Sequence, residues 1–282
     1  MHLAQSAIAG AAFLKMQGAG NDFVVIDRRR AGATVDAASA RALADRATGV
    51  GCDQIVLVDP DVDADARMTI LNADGSPAEA CGNAARCVAK LVLEETGADA
   101  GAIRTTAGAL PIWRAEADRW GVDMGLPRFD WADIPLAEPY DGDRMAFRSG
   151  PFADPTPLSM GNPHAVFFVD ALDDDEITAH GPRIETDPAF PARVNAGFAR
   201  VDGRDRIRLR VWERGAGLTR ACGSGACAAL VAAVKRGLTD RAAAVAMDGG
   251  TLRIEWRAGD EHVLMIGPAA LSFTGRIAEA AA

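Results

Sequence analysis

The sequence predicts an α+β protein made of two pseudo-symmetric domains, each with many short strands wrapped around one mostly apolar helix. Three observations predict it. First, matched polar and thiol residues recur at one long step. Cys222 follows Cys81 by 141 residues (222 − 81), which is half of the 282-residue chain, and the same step links Asn21 to Asn162, Gln54 to Asn195 and Asn72 to Glu213. Second, strand-like and helix-like stretches follow the same order in both halves. Third, each half holds one long apolar helical stretch that opens on a Cys-Gly pair: ACGNAARCVAKLVLEE from Ala80 and ACGSGACAALVAAVKR from Ala221.

The elements are justified in order. Residues 13–27 (FLKMQGAGNDFVVID) read as two strands joined by the Gly18–Asn21 turn. Residues 36–47 have helical periodicity, with Asp36 as the cap and Gly49 beyond the end. QIVLVD (54–59) and RMTIL (67–71) are strand-like, and NADGS (72–76) is a turn. The helix after Cys81 ends near Gly97, with Ala84, Val88, Leu91 and Val92 as its inward face. Short strands fill 101–124.

The second half repeats the plan. PLSM (157–160) and HAVFFVD (164–170) are strands around the Gly161–Asn162 turn, and 173–187 is helix-compatible. RVNAGFARVD (193–202) and RIRLRVW (206–212) are strands, and ERGAGLTRA is a Gly-rich loop. The Cys222 helix follows, with Ala226, Leu230, Ala233 and Val234 inward, then strands at 243–247, 251–256, 261–266 and 271–276. The boundary is expected in the Pro- and Asp-rich stretch 127–143. The first domain is then 1–130 and the second 131–267, with a last strand, about 268–282, returning to the first.

Composition narrows the function. The chain is 49% hydrophobic and 24% charged, in the globular range. A net charge of −9 argues against nucleic-acid binding, which needs a basic face. No apolar run approaches the ~20 residues that span a bilayer, so no membrane partner is expected. The N-terminus, MHLAQSAIAGAAFLK, lacks a basic region and a long apolar core of signal type. Five cysteines (Cys52, Cys81, Cys87, Cys222, Cys227) without a signal point to a reducing compartment, hence a cytoplasmic protein.

Cys81 and Cys222 carry the chemistry. Each sits at a predicted helix start, where unpaired backbone N–H groups and the helix dipole favour an anion. A thiol there is expected to have a depressed pKa. The backbone of Gly82-Asn83 and of Gly223-Ser224 offers N–H groups to a substrate carboxylate. Cys52, Cys87 and Cys227 lie in apolar contexts and read as small buried hydrophobes. Cys-x5-Cys and Cys-x4-Cys lack zinc spacing, so no metal is expected.

A polar set accompanies the thiols. Asn21 and Asn162 follow Gly in tight turns, and Asn72 precedes Ala-Asp-Gly; each alone is an ordinary turn former. Asn195 interrupts a strand, where turn chemistry is not needed. Amides donate and accept, so a group of them suits an amino-acid head. His164 and the Glu213-Arg214 pair read either as structural groups or as proton partners and carboxylate binders for a nearby thiol.

Together GAGNDFVVID, GCDQIVLVD, NADGSPAEACGNAARCVA, VDMGLP, GNPHAVFFVD, VNAGFARV and RVWERGAG…ACGSGACAA resemble the diaminopimelate epimerase family, in family order over nearly the whole chain. The resemblance implies two similar domains, each a mixed, mostly antiparallel sheet around a central helix. It implies interconversion of LL- and meso-2,6-diaminopimelate, on the route to lysine and peptidoglycan, without pyridoxal phosphate or metal, so no cofactor. A homodimer with a small amino-acid substrate is implied too.

The same resemblance makes Cys81 and Cys222 the acid/base pair. It assigns substrate binding to Asn21, Gln54, Asn72, Asn162, Asn195, Arg214 and the backbone of Gly82, Asn83, Gly223 and Ser224. Glu213 both binds and tunes the chemistry, and His164 supports the thiols. One departure is Leu218 in GAGLT, where many members carry Glu. The first ten or so residues also extend beyond the usual start. The alternatives are a proline or hydroxyproline-type racemase, which carries Cys-Gly-His where this chain has Cys81-Gly82-Asn83, and a non-catalytic amino-acid-binding redox sensor.

Overall fold

The computed structural model describes residues 8–30, 32–78, 81–116 and 118–278. The start of the N-terminal extension, Ala80 and the last four residues of the expected final strand lie outside them. The chain forms two compact units, Met1–Val122 with Gly267–Ala282, and Asp123–Ile266.

The first unit contains β1 (Ala12–Gly18), β2 (Asn21–Asp27), α1 (Ala37–Ala44), β3 (Gln54–Asp59), β4 (Ala66–Asn72), β5 (Pro77–Ala78), α2 (Gly82–Thr96), β6 (Ala100–Thr105), β7 (Gly108–Arg114) and β8 (Arg119–Asp123). β1 and β2 form a hairpin whose central residues Ala19 and Gly20 have φ of 50° and 92°. Positive φ at both positions is the tight-turn geometry that suits twisted strands. β2 runs parallel to β3, β3 antiparallel to β4, and β4 parallel to β6, after which β6, β7 and β8 pair antiparallel. Asp36 caps α1 by accepting from Ser39 N at 2.7 Å. This helix stops at Ala44, short of residue 47, because Val50 and Gly51 turn back to donate to the Leu43 carbonyl. α2 is buried from Gly82 to Ala89 and packs on β1, β4, β6 and β7. It closes on Gly97, in the left-handed region at φ 71°.

The second unit contains β9 (Arg148–Ser149), β10 (Phe152–Ala153), β11 (Thr156–Ser159), β12 (Pro163–Phe168), α3 (Asp174–Glu185), β13 (Asn195–Gly203), β14 (Arg206–Glu213), β15 (Gly217–Thr219), α4 (Gly223–Lys235), β16 (Ala242–Met247), β17 (Gly250–Trp256) and β18 (Val263–Pro268). Here α4 is the wrapped helix, packed on β11, β12, β13, β14, β16 and β17 and buried from Gly225 to Ala233. Being enclosed on all sides, α2 and α4 have no single inward face near their starts; Leu91 and Val234, expected inward, are only half-buried. A final strand, β19 (Ala270–Arg276), pairs antiparallel with β1 in the first unit.

The internal repeat extends to strand register. Phe23 stands opposite Gln54 across the parallel β2–β3 ladder, and His164 opposite Asn195 across β12–β13. Both members of the second pair lie 141 residues after those of the first. Ile70 pairs with Ala78, and Val211 with Thr219, by the same step.

Two details depart from expectation. The stretch 127–143 lies inside the second unit, because Ile134 and Leu136 bury in its core with Phe167 and Phe198. The Gly-rich loop after Glu213 contains β15. Gly217 turns at φ 81°, and Leu218 pairs with Trp212 while its side chain packs half-buried against that core.

Candidate active site

In the first unit, Cys81 is the residue that precedes α2, held extended at φ −146° and ψ 103°. Its side chain makes no capping bond to the helix, so the first-turn N–H groups of α2 are not capped by it. Cys81 is half-buried. Asn83, in that first turn, is buried and donates Nδ2 to Asn21 Oδ1 at 2.5 Å. Asn21 opens β2 and donates Nδ2 to Asp53 Oδ2 at 3.2 Å. Gln54 and Asn72 face each other across β3 and β4, with Gln54 Nε2 donating to Asn72 Oδ1 at 3.0 Å. Asn72 in turn donates to Ser76 Oγ at 3.1 Å. Asn21 and Asn83 thus meet directly, and Gln54 and Asn72 form a second amide pair.

The second unit repeats the frame with different chemistry. Cys222 precedes α4 at φ −134° and ψ 112°, again without a side-chain cap. Its Sγ lies 3.7 Å from Ser224 Oγ, and its N–H donates to Met247 Sδ at 3.4 Å. Asn162 donates Nδ2 to Ser224 Oγ at 3.2 Å and accepts at Oδ1 from His164 Nε2 at 3.0 Å. An amide oxygen only accepts, so His164 carries its proton on Nε2. Nδ1 of His164 is buried without a hydrogen-bond partner. Asn195 donates to Pro163 O at 2.8 Å and accepts from Arg214 N at 3.0 Å. Arg214 donates Nη1 to Ala192 O at 3.2 Å, and Glu213 Oε1 accepts from Thr219 Oγ1 at 2.5 Å. The Arg214 loop is pinned from below by buried Glu185, which accepts from Gly215 N at 2.9 Å and Trp212 Nε1 at 2.8 Å.

Electrostatics separate Cys222 from the expectation for a helix start. Its thiol pKa is raised well above the ordinary value. Burial is the largest cause, and the charge of Glu213 and a hydrogen bond to its carboxylate act in the same direction. The Gly225 N–H and Ser224 hydroxyl pull the other way and are outweighed. Cys222 is therefore a thiol at neutral pH, where a depressed pKa was expected. Burial also pushes Cys52 up to about 11 and Cys87 up to about 12. His164 falls to about 3, from burial first and the Arg214 charge second, so its imidazole is neutral. Among the described residues, no three His, Cys, Asp or Glu converge as a metal-ion ligand set.

Sequence reasoning passed over Asp53, Arg86 and Glu185. Arg86 is fully buried in α2 and donates Nη2 to Asn83 Oδ1 at 2.8 Å. The 141-residue step was the available signal, since it sets Arg86 against Cys227 and Asp53 against Val194.

Comparison with known proteins places this chain in a family. The profile of the family described as diaminopimelate epimerase matches residues 13–129 and 156–272. Diaminopimelate epimerase of Acidiphilium cryptum (strain JF-5) is 57% identical over 265 residues, covering 94% of this chain and 95% of its own. That of Phenylobacterium zucineum (strain HLK1) is 53% identical over 276 residues, covering 96% and 99%. Among solved structures, a Bacillus anthracis phenazine biosynthesis protein of the PhzF family superposes with a TM-score of 0.66 at 16% identity, covering 95% of this chain and 98% of that one. A probable proline racemase from Agrobacterium radiobacter K84 gives 0.66 at 15%, covering 95% and 93%. At those identities the likeness is one of fold.

Proposed function

Because this chain belongs to the diaminopimelate epimerase family, we propose that it interconverts LL- and meso-2,6-diaminopimelate with Cys81 and Cys222 as the two acid/base groups. The supporting observation is the twice-built element: a cysteine before an enclosed helix whose start it does not cap, once in each unit. A thiolate removes the α-hydrogen from one face and a thiol returns a proton to the other, so the two sulfurs must carry opposite protonation states. Cys222, kept protonated by burial and Glu213, is the donor in the resting form. Cys81 then receives the α-hydrogen. The helix-start N–H groups at Gly82, Asn83, Gly223 and Ser224 take the substrate carboxylate, whose charge grows as the C–H ionises. Asn21, Gln54, Asn72, Asn162, Asn195, Glu213 and Arg214 complete the contacts to the substrate. His164, neutral and bonded to Asn162, supports the site through that amide.

No cofactor enters this scheme. The protein acts as a homodimer in the cytoplasm, where its thiols stay reduced. Exposed Leu271 and Phe273 on β19 give the first unit an apolar surface suited to a second copy. Among the described residues no helix is long and apolar enough to cross a membrane. The proline-racemase alternative is not favoured, since full-length relatives at 49–57% identity carry the epimerase name.

The test is α-hydrogen exchange on LL-diaminopimelate in deuterated water. Two bases place deuterium in the meso product well before it enters recovered substrate. Equal early labelling of both would point to one base, and no exchange at all to a binding protein.

A further inference from the structure

Two carboxamides in the first unit stand in a hydrogen-bonded row whose ends cannot reverse. At one end is Arg86, fully buried, a guanidinium that has only donors. It gives Nη2 to Asn83 Oδ1 at 2.8 Å, Nη1 to Gly82 O at 3.4 Å and Nε to Pro268 O at 3.3 Å. Its pocket is tight: a Cβ on Gly18 would come within 3.5 Å of Nη2 and 3.2 Å of Asn83 O. At the other end is Asp53, a carboxylate that has only acceptors. Its Oδ2 takes Asn21 Nδ2 at 3.2 Å and Asp22 N at 3.1 Å, while Oδ1 takes Arg46 Nη2 at 2.8 Å.

These ends dictate the polarity of everything between them. Asn83 must turn its oxygen to Arg86, so its Nδ2 faces Asn21. Asn21 must then accept at Oδ1 and donate at Nδ2 to Asp53. Turning either amide over sets donor against donor and acceptor against acceptor, breaking both of its bonds. Each amide, with one N–H spent in the row, keeps one N–H outside it. The second unit lacks this device. Val194 and Cys227 stand at the places of Asp53 and Arg86, and Asn162 donates toward the helix residue Ser224, where Asn21 accepts from Asn83.

We infer that Arg86 and Asp53 are positioning residues that lock Asn83 and Asn21 with N–H outward, committing the first unit's cluster to a carboxylate of the substrate. This deepens the epimerase reading above and rests on it. A carboxylate accepts only, so it is matched by the outward N–H groups together with the α2 start.

The test uses full-length protein, with KM and kcat for LL-diaminopimelate and its binding measured by calorimetry. Asp53→Ala and Arg86→Met each raise KM and Kd about tenfold, the scale of a lost charge-assisted hydrogen bond, and leave kcat within about threefold. Arg86→Lys restores most of the affinity. Because Arg86 acts through Asn83, the double variant Arg86→Met/Asn83→Ala binds no worse than Asn83→Ala alone. Independent, multiplying losses in the double variant would overturn the inference. So would unchanged affinity in Asp53→Ala, whose half-exposed site leaves the α2 core intact and decides the matter if Arg86→Met does not fold. A wild-type protein that binds but does not exchange the α-hydrogen overturns the epimerase reading, while the calorimetric loss in Asp53→Ala still judges this one.

Discussion

The two units set Asn21 and Asn162 at equivalent hairpin turns, Asn21 opening β2 and Asn162 directly preceding β12, with Asn83 and Ser224 on equivalent helix starts and a cysteine before each helix. Their surroundings differ in where the charged groups sit. Behind Asn83 lies the buried cation Arg86, and beside Cys222 lies the anion Glu213. Where the first unit packs Phe23, the second buries a neutral imidazole, His164. A duplicated backbone thus hosts two clusters that place charge differently: Arg86 and Asp53 end the row through Asn83 and Asn21, while Glu213 acts directly on Cys222. Two-base chemistry needs one thiol and one thiolate, and Glu213 beside Cys222 favours the thiol there.

The largest effect should come from the thiols themselves. Cys81→Ala and Cys222→Ala are each expected to lower α-hydrogen exchange by roughly 10⁴-fold, the upper range for a positioned acid or base. Loss in one variant only would mean that the two clusters are not equivalent partners. Next in size is Glu213→Gln. Removing the anion lowers the Cys222 thiol pKa toward its ordinary value, so alkylation of Cys222 by iodoacetamide at pH 8 speeds up while kcat falls by about 10². Unchanged alkylation would show that burial alone holds the proton.

A smaller effect concerns pH and stability. His164 is neutral in the folded protein down to about 3, whereas an unfolded histidine titrates near 6.5. Between those values the unfolded chain binds the extra proton, so stability falls as pH falls, by about 1.4 kcal/mol per pH unit from this group. Above the unfolded pKa the contribution is flat. Replacing His164 with Phe, the first unit's own choice at this place, should make the unfolding free energy from urea titrations between pH 4 and 6.5 less steep in pH by that amount. The smallest effect is at the helix ends. α2 closes on Gly97 at φ 71°, while α4 closes on Arg236 at φ −83°. No atom crowds a Cβ at Gly97, so Gly97→Ala costs about 1 kcal/mol of backbone strain alone, readable as a shift in the urea midpoint.

How much of this was legible in the sequence follows from how local each signal is. Asp36 capping α1, Gly97 ending α2 and the Gly18–Asn21 hairpin are short-range turn chemistry, and all were readable. The 141-residue step was readable because side-chain identity survives at the repeated positions. Arg86 was not, because an arginine inside a helix ordinarily marks a solvated face, and its partners include Pro268, far away in the chain. The raised pKa of Cys222 was missed for a related reason. Its helix start is visible locally, but its burial and the approach of Glu213 are set by β14 and its neighbours. The 127–143 stretch looked like a linker from its Pro and Asp content, whereas two apolar residues, Ile134 and Leu136, tie it into the second unit.

The return of β19 to β1 has a consequence for synthesis. A ribosome delivers every strand of the second unit, Asp123–Ile266, as one uninterrupted segment. The first unit, although translated earlier, waits for its closing strand until the whole second unit has been made, with the β19 edge of β1 unsatisfied meanwhile. The later-made half is thus the first able to finish folding, and the earlier-made half is the one that needs shielding on the way out.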